Sequence, residues 1–264
     1  MQKISAVIVC KNEEWHIAAC LRSLQGLTDD IVVLDNGSTD RTREIVAASG
    51  ARLVIDEWRG YGKTKNAAAI HANYDWILSM DADEELDEEL KNSLKGLQFQ
   101  NENEVYRIRF KNFLGPKHLK FGEWGNDKHI RVFNRNKISW DEEAVHEKLF
   151  LLQTVNVKDV KGSINHYTVR NVKEYSEKML RYALLNAEKY AANGKRSSGF
   201  KVFFAPIFSF INYYFFKLGF LDGWAGLVCA KMTSYYTFVK YARLLELNKL
   251  KSQIPIAIGT KVKK

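Results

Sequence analysis

Two aspartates one residue apart, Asp81 and Asp83, stand where a short apolar run, Trp76-Ile77-Leu78-Ser79-Met80, stops. The run has the length and composition of a buried β-strand. Residues i and i+2 of an extended segment point the same way. Two carboxylates so placed can hold one hard divalent cation, with water and phosphate oxygens completing its shell. The same residues allow a second reading. Asp83 to Glu89 is acidic enough to be the first turn of a helix, complementing its dipole.

Similar polar clusters close other apolar runs. Ile4 to Val9 ends in Cys10-Lys11-Asn12-Glu13-Glu14, and Ile31 to Leu34 ends in Asp35-Asn36-Gly37-Ser38-Thr39-Asp40. Open α/β sheets bind ligands outside the carboxyl ends of their strands. No G-x-G-x-x-G follows the first strand and no G-x-x-x-x-G-K-[ST] occurs, which argues against a dinucleotide site or a P-loop. A nucleotide on this sheet is therefore held mainly by side chains at strand ends: Asn12, Glu14, Asp35, Asp81 and Asp83. Further on, Trp140-Asp141-Glu142-Glu143-Ala144-Val145-His146-Glu147 is dense in ionisable groups.

The elements that must position these residues follow from periodicity. Asn12 is a plausible cap for a helix whose apolar face is Ile17, Leu21 and Leu24. A second helix runs to Ser49 and stops at Gly50. Leu53 to Ile55 is a short strand, and Lys63 to Ala72 is helical. Strands alternating with helices through residue 80 imply a mostly parallel sheet. Val105 to Phe110 and His129 to Phe133 alternate as half-exposed strands. Phe113 to Gly125 is loop-like, and one or two strands end at His166-Tyr167. Asn171 with Glu174 resembles a capping box, and that helix stops at Asn193-Gly194. Val202 to Phe216 holds fifteen uncharged residues, many aromatic, between Lys201 and Lys217. It falls short of the ~20 apolar residues of a spanning helix. Aromatics flanked by lysines suit a segment lying in the membrane interface.

Charge follows the same division. Residues 161–264 hold 18 Lys+Arg against 5 Asp+Glu, and residues 1–160 hold 22 against 26. A basic region means nucleic acid or an anionic membrane face. No nucleic-acid motif accompanies this one, which leaves the membrane, an internally packed helical subdomain or an oligomer interface. Cys10, Cys20 and Cys229 are odd in number and form no C-x-x-C pair, which fits a reducing compartment and no zinc site. Met1-Gln2-Lys3 runs straight into a strand-like segment without a signal-peptide h-region. The expected organisation is an α/β domain with the strand-end clusters over 1–168, a helical membrane-association region over 169–250, and a basic tail over 251–264.

The motifs together resemble family 2 glycosyltransferases of the GT-A fold, a Rossmann-like mixed sheet flanked by helices. Val9 to Glu14, Val33 to Thr42, Lys65-Asn66 and Trp76 to Glu84 match in order and spacing over roughly residues 3–90. Val145-His146-Glu147 and Gly219-Phe220-Leu221-Asp222-Gly223 are similar to the bacterial branch containing lipopolysaccharide inner-core β-glucosyltransferases. The resemblance implies an inverting, metal-dependent transfer of a hexose, glucose from UDP-glucose, to a lipid-linked glycan such as lipopolysaccharide core. The enzyme would be cytoplasmic and peripheral on the inner face of the bacterial inner membrane.

It also implies residue roles. Asp35 accepts from the uracil or ribose, and Asn12 and Glu14 line the same pocket. Asp83 ligates Mg²⁺ or Mn²⁺ on the diphosphate, and Asp81 contacts the ribose or the metal's water shell. Lys65 either adds positive charge near the phosphates or is a solvated helix lysine. His166 is an additional metal ligand or a structural histidine. The favoured base is Glu147, with His146 orienting it or touching the metal, and Asp141, Glu142, Glu143 and His146 are rivals for the part. Trp124 and Arg131 either line the acceptor pocket or are structural. Two other functions compete: a sugar-nucleotide nucleotidyltransferase, and a membrane-surface scaffold that binds a nucleotide without chemistry.

Overall fold

A strand buried on both faces must be apolar on both, and the first and fourth strands are. The computed structural model describes residues 3–141, 149–150 and 155–253. His146 and Glu147 lie outside the described residues, as do Glu142 and Glu143. The chain begins with β1 (Ser5–Cys10), α1 (Ile17–Leu24), β2 (Asp30–Asp35), α2 (Thr42–Ser49), β3 (Arg52–Ile55), α3 (Tyr61–Ile70) and β4 (Trp76–Asp81). It continues with β5 (Glu84–Leu86), α4 (Glu88–Lys95), β6 (Glu104–Leu114), β7 (Lys117–His118), β8 (Lys128–Asn134), β9 (Ser139–Trp140), β10 (Leu149–Phe150) and β11 (Asn156–Val169). Three long helices follow: α5 (Val172–Ala192), α6 (Gly199–Ile211) and α7 (Trp224–Gln253).

Two compact units divide the chain: Met1–Phe113 with Asn126–Thr168, and Leu114–Gly125 with Val169–Lys264. The loop-like residues 114–125, which the sequence reading puts with the first part, belong to the second unit. Their anchor is the buried Asp222, whose carboxylate accepts from the Lys120 and Phe121 backbone N–H groups at 3.0 and 2.9 Å. That is a structural role for the aspartate of the Gly219–Gly223 motif.

In the first unit the main sheet has the order β3-β2-β1-β4-β8-β6-β11-β5. β1 pairs in parallel with β2 and β4, and β2 with β3. β8 joins β4 and β6 antiparallel, and β5 joins β11 antiparallel. Successive residues of β1 and β4 enter opposite cores. Ala6, Ile8, Leu78 and Met80 pack with Ile17, Leu21 and Leu24 of α1 and Leu90 and Leu94 of α4. Val7 and Ile77 pack with Ala68 of α3 and with Phe133 and Trp140. From β1 the chain winds to β2 on one side and later to β4 on the other. This reversal opens a crevice at the carboxyl ends of β1, β2 and β4.

The second unit packs α5 and α6 against α7, with Tyr175, Tyr213, Ala225 and Cys229 in its core. α6 continues through a π-helical turn, Asn212–Phe216. The helical stretch Gly199–Phe216 is 18 residues long, has a mean hydropathy of 1.2 and is 6% buried. By length and composition alone it is sufficient to cross a membrane, which the uncharged run judged by itself is not. Its exposed face carries Phe200, Phe203, Phe204, Phe208 and Phe216.

Candidate active site

β4 and β5 are joined by two residues, and the period of two in burial persists across the join. Met80, Ala82, Glu84 and Leu86 are buried, while Asp81, Asp83, Glu85 and Asp87 are half-buried. Asp81 and Asp83 are thus both half-buried, but Ala82-Asp83 is a turn between two strands and not the extended segment expected from the sequence. Glu84 does not open a helix. It lies in β5, held to β11 through Glu84↔His166 and Leu86↔Ile164, and α4 starts only after Asp87, whose side chain accepts from Leu90 N at 2.9 Å.

Asp81 sits between two cations. Lys65 Nζ lies 3.1 Å from its Oδ1 and Arg131 Nη2 lies 3.1 Å from its Oδ2. Burial alone would raise this carboxyl, but Lys65 and Arg131 outweigh it and hold Asp81 well below the usual carboxylate range. Lys65 is buried and not a solvated helix lysine, and its ammonium lies 4.7 Å from the Trp140 ring centroid. Arg131 is buried too. It bonds Glu84 Oε1 as well, with its guanidinium carbon 5.0 Å from the Phe110 ring centroid. Glu84 Oε2 accepts from the Asp81 backbone N–H at 3.0 Å. Burial raises the Glu84 carboxyl, Arg131 opposes it, and Asp81 and Asp83 add to it.

Asp83 faces a different partner. Its Oδ2 lies 3.4 Å from His166 Nε2. His166 Nδ1 bonds Asn112 Oδ1 at 2.8 Å, and Asn112 Nδ2 donates to Asp127 Oδ2 at 3.2 Å. The carboxylate of Asp127 fixes the Asn112 amide, which fixes the ring's Nδ1 as the protonated nitrogen and turns Nε2 toward Asp83. Burial opposes a charge on His166, but Asp83, Glu84 and Asp81 overcome it and raise its pKa.

At the other strand ends, Asn12 and Glu14 tie two loops together. Asn12 takes φ +58°, donates its backbone N–H to Ser38 Oγ at 2.8 Å and accepts from Thr39 N at 2.8 Å through Oδ1. Glu14 Oε2 accepts from Arg41 N at 3.2 Å. The expectation that Asn12 caps the first helix is not met: α1 begins at Ile17 without a side-chain cap. Asp35 is buried. Its Oδ1 accepts from Gly37 N, Ser38 N and Arg43 Nε at 3.1, 3.0 and 2.6 Å. Burial would raise it, but the bonds from Ser38, Arg43 and Gly37 lower it. Asp35 organises the loop through Oδ1, while its Oδ2 faces the Cys10 thiol at 3.8 Å.

Asn66, beside Lys65, anchors the start of the acidic segment. Its Oδ1 accepts from Trp140 N and its Nδ2 donates to Trp140 O, both at 2.9 Å. Gly62 permits the approach, since a Cβ there would lie 1.7 Å from the Asp141 carbonyl oxygen. Asn66→Ala removes both bonds and leaves a partly buried N–H and C=O without them, at a cost of about 1–3 kcal/mol. We expect a matching loss in urea denaturation of the Asn66→Ala variant. Trp124 packs within the second unit, 5.6 Å from the Tyr175 ring.

A family model, Glycosyl transferase family 2, matches residues 5–151. An uncharacterized glycosyltransferase of Rickettsia typhi is 30% identical over 97% of this chain and 91% of its own length. The chain belongs to glycosyltransferase family 2. Its mixed sheet with flanking helices is the GT-A architecture of that family. The lipopolysaccharide core biosynthesis glycosyltransferase LpsC of Rhizobium meliloti is 28% identical over 95% of this chain and 94% of its own length. Among solved structures, glucosyl-3-phosphoglycerate synthase of Mycobacterium tuberculosis with Mn²⁺, UDP and glucosyl-3-phosphoglycerate is 30% identical. It covers 42% of this chain and 43% of its own, with a TM-score of 0.33. The family model and the glycosyltransferase relatives remove the nucleotidyltransferase and the non-catalytic scaffold as readings of this chain.

In this family 2 glycosyltransferase no group of three or more His, Cys, Asp or Glu residues forms a metal cluster among the described residues. Asp83 and His166 nonetheless provide one oxygen and one nitrogen donor on converging side chains. Two protein donors suit Mg²⁺ or Mn²⁺, which take their remaining ligands from substrate phosphates and water. Asp81, with both oxygens engaged by cations, is the poorer donor. Sequence reasoning missed Glu84, Asn112 and Asp127. A polar residue at the inward phase of β6, where Ile108 and Phe110 precede it, is the signal that marks Asn112.

Proposed function

We propose that this enzyme is an inverting, metal-dependent hexosyltransferase. It moves glucose from UDP-glucose to a hydroxyl of a lipid-linked glycan such as lipopolysaccharide core. The observation that carries the reading is the Asp83–His166 pair, braced through Asn112 by Asp127 and separated from Asp81 by the claims of Lys65 and Arg131. Asp83 and His166 would hold Mg²⁺ or Mn²⁺, which when bound would neutralise charge developing on the departing diphosphate. Asp81 would contact the ribose or the water shell of that ion. Lys65 and Arg131 keep Asp81 ionised and fixed in place. The loops that Asn12, Glu14 and Asp35 knit together seat the uracil and ribose. Glu147, oriented by His146, takes the proton of the acceptor hydroxyl as its oxygen attacks the anomeric carbon. The bond to UDP breaks on the opposite side, which inverts the configuration.

Support for the acceptor class comes from the similarity to LpsC, which extends through the helical unit. The exposed phenylalanines of α6 and the excess of lysine and arginine beyond residue 160 support docking on an anionic inner-membrane surface. Lysines near such a surface contribute ~1 kcal/mol each, and the buried rings add interfacial affinity. The reading is tested with a panel of nucleotide sugars and Mn²⁺ or Mg²⁺, scored by UDP release and by thermal stabilisation. UDP-glucose with metal should release UDP when a lipopolysaccharide core acceptor is present. At 100 times its dissociation constant it should stabilise the fold by ~2.7 kcal/mol. Release of UDP from no sugar in the panel would sink the reading.

A further inference from the structure

β6 presents two chemically different faces. Ile108, Phe110 and Asn112 point inward, with Phe110 and Asn112 packed around His166, while Arg107, Arg109 and Lys111 point outward. Those three, with Lys128 of β8 and Lys161 of β11, line a groove of about 510 Å³ on the outer face of the sheet. The cations outnumber the acids there. Glu89 and Asp159 also line the groove, and Asp87 holds Lys111 at 2.9 Å, leaving an excess of two positive charges. Asp159 is shared by Arg107 at 2.7 Å and Lys128 at 3.1 Å. Arg109 and Lys161 have no ion-pair partner among the described residues.

The register makes the arrangement costly. Arg109 and Lys128 are direct cross-strand partners, and like charges directly opposite destabilise a sheet. A bound anion would relieve that repulsion. Alternate residues on a strand are about 7 Å apart, so Arg107, Arg109 and Lys111 form a row suited to a ligand with several separated anionic groups. Val160 is the one large apolar residue lining the groove. A bilayer-docking face calls for interfacial aromatics as well as charge, and this surface lacks them.

We propose that this outer groove is a second anion site, which binds a soluble ligand carrying two or more phosphate groups. The shared chemistry is a bisphosphate or polyphosphate, borne either on a sugar or on a free phosphate chain. The site is separate from the donor site, because its cations stand on the opposite face of β6 from Asn112 and His166. It does not depend on the identity of the donor sugar.

The test is calorimetric titration of the full chain in EDTA, without nucleotide, using fructose 1,6-bisphosphate, sodium tripolyphosphate and phosphatidylglycerol vesicles as probes. Fructose 1,6-bisphosphate or tripolyphosphate should bind saturably, and more weakly as salt rises. The double variant Arg109→Glu/Lys161→Glu should weaken that binding at least tenfold. A charge-matched control on α5, Lys173→Glu/Arg181→Glu, should change it less than twofold. Mn²⁺-dependent UDP release should be unchanged in the groove variant, which shows that the fold and the donor site survive. Tighter binding of the sugar bisphosphate assigns a sugar-borne ligand, and tighter binding of tripolyphosphate assigns a free phosphate chain. Equal losses in the two double variants would overturn the proposal, because the effect would then be long-range charge. Loss of vesicle binding with the soluble probes unaffected would overturn it in favour of a membrane face.

Discussion

Asp83→Ala should lower metal-dependent UDP-sugar turnover by about 10³-fold or more and leave the fold in place. In the proposed site Asp83, beside His166, would be one of two protein donors for the divalent cation. Stabilising a charged leaving group through such an ion is worth several kcal/mol, and each 1.36 kcal/mol is tenfold in rate. The structural loss is small by comparison. Asp83 is half-buried and its carboxylate pairs with His166 at 3.4 Å, a contact of about 1 kcal/mol. UDP release in saturating Mn²⁺ and a urea denaturation curve separate the two quantities. Turnover near that of the natural protein would remove Asp83 from the site. A collapse in stability would mean that Asp83 holds the β4–β5 join together and would give its lost activity a structural cause.

What the sequence reveals about this site depends on whether the signal is local. Asn12, Asp35 and Asp81 are legible because each ends an apolar run, and a run of four to six apolar residues marks a buried strand without reference to the rest of the chain. Glu84 is not legible in that way. Asp83 to Glu89 has the composition of a helix start, and only pairing with Ile164–His166, about eighty residues later, makes Glu84–Leu86 a strand. The alternating segment around Arg131 reads as half-exposed, yet four consecutive residues, Arg131 to Asn134, are buried, because β8 lies between β4 and β6 and is covered on both faces there. Lys65 reads equally well as solvated or functional. Its partners Asp81 and Trp140 lie 16 and 75 positions away and decide the matter by burying it.

The same distinction explains the braced histidine. Its orientation comes from Asn112 and Asp127, on two other segments, and the amide can serve His166 only because Asp127 occupies its N–H. No spacing rule encodes that relation. By contrast, the Asn171 cap and the Gly50 stop are single-residue devices. Asn171 accepts from Glu174 N at 2.9 Å, and Gly50 takes the left-handed conformation with φ +81°. Both are read directly from residue type because their physics is confined to one helix turn.

Arg131→Met should destabilise the first unit by about 3–5 kcal/mol, the cost of stranding a buried charge whose partner is removed. Arg131 is the cation shared by Asp81 and Glu84. Asp81 keeps Lys65 when the guanidinium is lost, whereas Glu84 is fully buried and, among the described residues, keeps the hydrogen bond from the Asp81 backbone N–H and the more distant His166. The loss should therefore fall on Glu84, and Glu84→Gln in the Arg131→Met background should restore much of it. Glutamine retains an oxygen for the Asp81 N–H and removes the charge that Arg131 neutralised. Urea denaturation of the natural protein, both single variants and the double variant closes the cycle, with an expected coupling of about 2 kcal/mol or more between contacting charged residues. A cost below about 1 kcal/mol for Arg131→Met would show that Glu84 takes up a proton or is reached by water once Arg131 is gone. Additive single effects would show that Arg131 acts through Asp81 or through the Phe110 ring, and Arg131→Lys would then separate those two contacts, because an ammonium keeps the charge and loses the planar stacking.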